Sequence, residues 1–389
     1  DMFGENKKSE NGTYYISNIR STIVILVILL HAALSYSRVT DSWWFIVDPS
    51  KTVIADILSG ILDAILMPIL FFISGYFSLP SLNKSTKKQF LKKKVKNIYF
   101  PWLTGILFLN PVLVLIINHT HGNDLYVSFC SILKYYNNFI TIPIHIIQDR
   151  SHSSLYFSHY HLWYLSLLFY FFVVFSLFQN TKQKINNIKS GSMLPTLLTL
   201  VMVSSVSFTF FYYFFENNWF VLSIIQFQFS RIISYIAFFI TGIHFYRSNY
   251  LADKKLLKYP FIHLLSAVAL SIVYLSAYEY VAKKNQIAIN FIYTICRYSL
   301  CVYFLAVCLS LGKKYFNNAT TTNRILNRYS FGVYLVHLNI VLVSAYLFRY
   351  FDTIPSLLKL CLTFLCSSAV SYLLVITYTR IKTLIISRL

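Results

Sequence analysis

The chain has 389 residues, of which 57% are hydrophobic, 18% aromatic and only 12% charged, and its mean hydropathy is +0.58. That charged share is about half of what soluble domains carry. It excludes a soluble enzyme with a large core and indicates an all-α, polytopic helical membrane protein. The net charge of +21 would suggest nucleic acid in a soluble chain. Here the lysines cluster between apolar runs, where they set orientation and touch anionic lipid, so nucleic acid is excluded as a partner.

In chain order, residues 1–18 are polar, include Lys7 and Lys8, and read as a cytoplasmic N-terminal segment. The apolar run that follows is longer than a signal-peptide core and reads as an uncleaved first span. Residues 19–386 form a single transmembrane domain with about ten spans of roughly 17–25 residues. They are expected near 19–37, 53–77, 98–118, 161–178, 193–215, 229–246, 259–280, 287–312, 329–348 and 356–378. Lysine and arginine concentrate in every second connection. These are 78–97 (Lys84, Lys87, Lys88, Lys92, Lys93, Lys94, Lys96), 179–192 (Lys182, Lys184, Lys189), 247–258 (Arg247, Lys254, Lys255, Lys258), 313–328 (Lys313, Lys314, Arg324, Arg328) and the tail (Arg380, Lys382, Arg388). Loop 216–228 has none. The positive-inside rule then puts both termini in the cytoplasm. The longest outer segment, 119–160, contains FITIPIHII, too short to span and therefore expected to be re-entrant or interfacial.

Several ionisable residues fall inside these spans. Arg20 and His31 are eleven residues apart, which at 100° per residue is within ~20° of three full turns, so both project from one helix face about 16 Å apart. His31, Asp63 and Arg297 are expected near the membrane midplane, and His337 about 12 Å in from the cytoplasmic end of the ninth span. Such groups are costly to keep at depth and most economically line a shared polar cavity. Each alone could be structural: Asp63 with Arg297 would make an ordinary buried ion pair. A neutral imidazole is a competent general base, and Asp63 or Arg297 could tune it. Arg231 and His161 lie nearer the outer mouth. His161 and Trp163 suit acceptor positioning, although Trp163 also reads as an interfacial anchor.

The lysine-dense stretch 84–96 suits a phosphate-bearing donor as a set of point charges. No GxSxG, HExxH or Walker motif stands in a suitable setting. Outer-segment histidines (His119, His121, His145, His152, His159) lack Cys, Asp or Glu at ligand spacing, so no metal is expected. Of the cysteines Cys130, Cys296, Cys301, Cys308, Cys361 and Cys366, none forms a CxxC, and neither a disulfide framework nor zinc is read.

Five segments resemble the integral-membrane acyltransferase 3 family: the Arg-x10-His pair Arg20/His31, MPILFFISGYF (67–77), HLWYLSLLF (161–169), RIISYIAFFITGIHF (231–245) and YSFGVYLVHLNIV (329–341). They occur in family order across nearly the whole chain. Within the family, YYISNIRSTIVILVILLHAALSYS is most similar to members that succinylate periplasmic glucans. The resemblance implies a reaction in which acyl-CoA (succinyl-CoA or acetyl-CoA) is a donor substrate rather than a resident cofactor. Its acyl group goes to a hydroxyl of a periplasmic or cell-surface glycan, at the bacterial inner membrane. His31 would be the general base. Arg20 would hold the donor, helped by Lys93, Lys94 and Lys96. The family's Arg-x-x-Arg-like element before the third span reads here Lys94-Val95-Lys96-Asn97, and lysine lacks the bidentate fork of arginine. Glycan, acyl-CoA and lipid bilayer are the implied partners, with a homo-oligomer left open. A transporter or proton-coupled permease is the alternative, since a polar midplane cavity fits it too. A catalytically dead membrane scaffold or sensor is a third reading, hinted at only by Asn97.

Overall fold

The computed structural model describes residues 14–40, 43–141, 144–147, 157–179, 192–251, 259–284 and 286–387. Lys7, Lys8, His152, Lys182, Lys184, Lys189, Lys254, Lys255, Lys258 and Arg388 lie outside the described residues. Within hydrocarbon every backbone N–H and C=O must be satisfied inside the segment, and long apolar runs poor in glycine and proline achieve this as helices. Among the described residues, nine helices are long and apolar enough to cross a membrane, and Ile232–Arg247 is a shorter apolar helix.

The elements are α1 (Tyr14–Leu34), α2 (Val53–Asn83), α3 (Lys87–Lys94), α4 (Phe100–Thr104), α5 (Asn110–Thr120), α6 (Leu125–Thr141), β1 (Ile144–Ile147), α7 (Trp163–Phe178), α8 (Met193–Phe215), β2 (Trp219–Leu222), β3 (Ile225–Gln228), α9 (Ile232–Arg247), α10 (Pro260–Lys284), α11 (Ile287–Tyr315), α12 (Thr321–Arg349) and α13 (Ser356–Ile386). Helices α3, α4 and α5 are one span, Lys87–Thr120, interrupted by π-helical turns at Val95–Tyr99 and Gly105–Leu109.

Two expectations change. The basic segment 78–97 is not a loop. Helix α2 continues to Asn83, and a capping box at Thr86 starts α3: Gln89 N–H donates to the Thr86 hydroxyl (3.2 Å) and Thr86 N–H to the Gln89 side chain (3.0 Å). The apolar stretch FITIPIHII, expected to be re-entrant or interfacial, divides between the end of α6 and a strand. Helix α6 ends at Thr141, two residues before Pro143, which cannot continue a helix. The chain then enters β1, which pairs antiparallel with the β2–β3 hairpin (Ile144 opposite Leu222, Trp219 opposite Gln228). A small three-stranded sheet therefore tops an otherwise helical bundle.

Contacts between elements define two ends. Asn18 donates to the Phe316 carbonyl (2.5 Å), Lys87 to Leu177 O (3.2 Å) and Lys313 to Leu251 O (3.0 Å), while Arg247 bonds Gln179. This gathers the start of α1, the start of α3 and the ends of α7, α9 and α11 at one basic end. The sheet, the 35–52 segment and the α12–α13 connection stand at the other.

Helices α2 and α9 cross backbone to backbone. A methyl on Gly75 would collide with the Phe239 carbonyl, and one on Gly242 with the Phe72 carbonyl. These glycines sit in two of the segments that carry the family resemblance, ISGYF and ITGIHF. Their crossing fixes where α9 begins, and hence where Arg231 sits.

Candidate active site

The described residues of segments 35–40 and 43–52 form a plug rather than a surface loop. Ser35, Tyr36, Ser37, Thr40, Trp44, Ile46 and Asp48 are all buried. Trp44 donates from Nε1 to the Ser35 hydroxyl (3.0 Å), Tyr36 OH bonds the Thr363 hydroxyl (2.8 Å), and Asp48 pairs with Lys359 of α13 at 2.9 Å. Burial pushes the Tyr36 phenol above its ordinary range, so it stays a neutral hydroxyl.

This plug lays Trp44 on His31, with centroids 5.5 Å apart and planes within 7°. On its other side the His31 ring stacks on His337 at 5.2 Å, and His337 meets His161 edge to face at 4.9 Å. Three imidazoles from α1, α12 and the turn before α7 thus form one cluster. His31 is partly exposed, whereas His161 and His337 are buried. The turn that delivers His161 needs a bulky residue in the left-handed region, Tyr160 at φ 49°, a local cost of the kind found at functional sites.

Backbone carbonyls fix two of the tautomers. His337 Nδ1–H donates to Tyr334 O (2.7 Å), and His161 Nε2–H donates to Leu335 O (3.0 Å). In the neutral rings His337 Nε2 and His161 Nδ1 then carry lone pairs, and neither has a hydrogen-bond partner among the described residues. These are two buried acceptor nitrogens in the cluster that His31 joins through His337.

From this cluster an aromatic column runs toward the basic end. Tyr334 packs on His337 (5.5 Å) and on Tyr164 (5.9 Å), and Arg20 and Lys94 stand toward that end on α1 and α3. Lys94 is turned inward, its ammonium 3.9 Å from the Phe172 ring centroid. Lys93 and Lys96 are exposed. Helical spacing is the reason: Phe90, Lys94 and Ile98 share the buried stripe, and Lys93 and Lys96 do not.

Asp63, Arg231 and Arg297 form a second, separate cluster. Arg231 clasps the Asp63 carboxylate with two bonds (2.9 and 2.8 Å), and Arg297 adds a third at 3.2 Å while also donating to Tyr274 OH (3.0 Å). The Asp63 carboxylate and the Arg297 guanidinium are thus engaged with each other and with Arg231. Arg231 reaches Asp63 because α9 is short and begins after the β2–β3 hairpin, a geometry that span counting could not give. Trp163 lies away from the histidines, in an aromatic packet with Trp219 and Tyr235, each 5.5 Å away.

The family model described as an acyltransferase domain matches residues 13–376. The chain belongs to the acyltransferase 3 family. Among curated proteins it is 24% identical over 155 residues to the glucans biosynthesis protein C of Escherichia coli (strain SMS-3-5 / SECEC), an alignment covering 40% of this chain and 36% of that protein. It is 29% identical over 100 residues to the proteins of the same name from Salmonella paratyphi B and Salmonella heidelberg, covering 24% of this chain and 23% of each. The matched region thus spans about a third or less of these relatives. No solved structure matches.

Trp44 and Tyr164 join this family member's polar column without having been singled out from the sequence. Tyr334 is the tyrosine of the Ser-x-x-x-Tyr-x-x-His segment (Ser330, Tyr334, His337) that carries the family resemblance, three residues before His337 on the same helix face. Trp44 was not legible, because a Trp-Trp pair between spans reads as an interfacial anchor. Lys359 left a signal too: a lone lysine just inside the last apolar run.

Proposed function

We propose that the protein is a membrane-embedded O-acyltransferase that moves a succinyl or acetyl group from cytoplasmic acyl-CoA to a hydroxyl of a periplasmic or cell-surface glycan, in the bacterial inner membrane. The observation that carries this reading is the three-histidine cluster beneath Trp44, from which Tyr334 and Tyr164 lead toward the basic end that holds Arg20 and Lys94. A glycan is favoured as acceptor by the name of the curated relatives. The positive-inside rule makes the basic end cytoplasmic, which puts donor and acceptor on opposite sides of the histidines.

In this reading the thioester enters past Arg20 and Lys94, whose charges hold the donor's phosphates. A glycan hydroxyl approaches from the Trp44 side. An imidazole nitrogen of the cluster takes the hydroxyl proton as the oxygen attacks the thioester carbonyl. The C–S bond breaks, and the proton leaves on the CoA thiol. General-base help of this type is worth about 10²–10⁴-fold.

The test uses the full chain in proteoliposomes, with succinyl-CoA or acetyl-CoA at the basic face, a glucose oligomer at the other, and ester formation read by mass spectrometry. Transfer by the parent protein and its loss in His31→Ala is the expected result. Equal turnover by both would remove His31 as base, and no transfer with either donor would remove the reading.

A further inference from the structure

A cavity of about 410 Å³ opens at the end of the bundle opposite the basic one, lined by Pro49, His119, Tyr346, Arg349, Tyr350 and Asp352 among others. That volume lies in the range of small-molecule sites. We infer that this cavity is a carbohydrate subsite, taking a neutral hexose unit of the acceptor chain; the inference rests on the acyltransferase reading above.

Three observations carry it. The Tyr346 and Tyr350 rings meet at 5.2 Å and 85°, with Tyr350 OH bonding Tyr346 OH at 2.5 Å, and Tyr350 is 66% exposed. They form a corner of apolar surface with hydroxyls at its edge. A pyranose, whose C–H face is apolar and whose rim is hydroxyl, complements such a corner. Arg349 and Asp352 line the same cavity without pairing with each other or with another described residue. One supplies only donors and the other only acceptors, and together they are neutral. That lining suits the mixed donor and acceptor demand of sugar hydroxyls better than a phosphate or carboxylate.

The third observation is position. Tyr346 follows His337 by nine residues of one helix, so it stands about 13 Å above the cluster along α12. Pro49 adjoins Asp48 on the plug that holds Trp44 against His31. The cavity therefore opens at the Trp44 end of the bundle, with Tyr346 on the face of α12 opposite His337, two and a half turns further on. A chain seated here lies on the Trp44 side of the histidines.

The experiment uses the full chain in lipid nanodiscs, a neutral glucose oligomer as probe, and two readouts: saturation-transfer NMR without donor, and acyl-transfer kinetics with acyl-CoA. Tyr350→Ala should weaken the saturation signal and raise KM for the oligomer about tenfold, the loss expected for one aromatic contact with its hydroxyl. The kcat and the donor-only hydrolysis rate should stay within about twofold. Tyr350→Phe should retain most of the affinity. A wild-type protein that transfers acyl groups with a KM unmoved by Tyr350→Ala and Arg349→Gln overturns the subsite while leaving the acyltransferase reading intact, and the tyrosines are then interfacial anchors only. A wild type whose oligomer signal is lost in Tyr350→Ala but which never transfers does the reverse. No saturation signal from the wild type also overturns the subsite.

Discussion

The buried pair Asp48–Lys359 ties the plug to the last helix, and its disruption should be felt both in stability and at His31. Their side chains are 2% and 0% exposed and the ions are 2.9 Å apart. Removing one partner of such a sealed pair strands a charge in low dielectric and costs about 3–5 kcal/mol. Lys359→Met leaves the Asp48 carboxylate without its counter-charge, held by the Ser50 amide (2.8 Å); Asp48→Asn leaves the ammonium without a counter-charge, facing only a neutral amide oxygen. Each single variant should melt well below the parent in the same detergent. The double variant should recover part of the loss, with a coupling of about 1.5–3 kcal/mol. The singles should also lose kcat, because the plug positions Trp44 on His31. Singles that melt like the parent, or a double variant whose loss is the sum of the two, would refute the reasoning.

Three further outcomes are expected. His337→Gln should lower kcat by about 10²–10⁴-fold with an unchanged melting temperature, and a rate close to the parent's would leave His31 as the sole base. Gly242→Val should destabilise by at least about 1–3 kcal/mol and separate α2 from α9, read as lower yield and melting temperature; parent-like melting would contradict the backbone crossing. Lys94→Gln should raise KM for acyl-CoA severalfold, whereas the exposed Lys96→Gln should leave it within about twofold. Equal effects would mean that the stretch acts only as a diffuse field.

Much of this protein was written locally. The spans were legible because twenty apolar residues in hydrocarbon have one way to satisfy their backbone, and the alternation of basic connections matches the grouping of described basic residues at one end. The Arg20–His31 spacing, the family segments and the roster of deep ionisable groups needed no coordinates either. Partnership did need them. Nothing in the order of residues says that Asp63 takes Arg231 as its main partner, that His31 is roofed by Trp44, or that Lys94 turns inward while Lys93 and Lys96 do not reach the column. The same holds for FITIPIHII, an apolar run expected to be re-entrant or interfacial, whose strand pairing with a distant hairpin the sequence does not announce. Hydropathy and helical period are set by neighbours within a few turns, and the bilayer reads them one segment at a time. Which faces meet depends on helix crossings, such as the one at Gly75 and Gly242, between residues more than 150 positions apart, and a distance of that kind is settled only by packing the whole bundle at once.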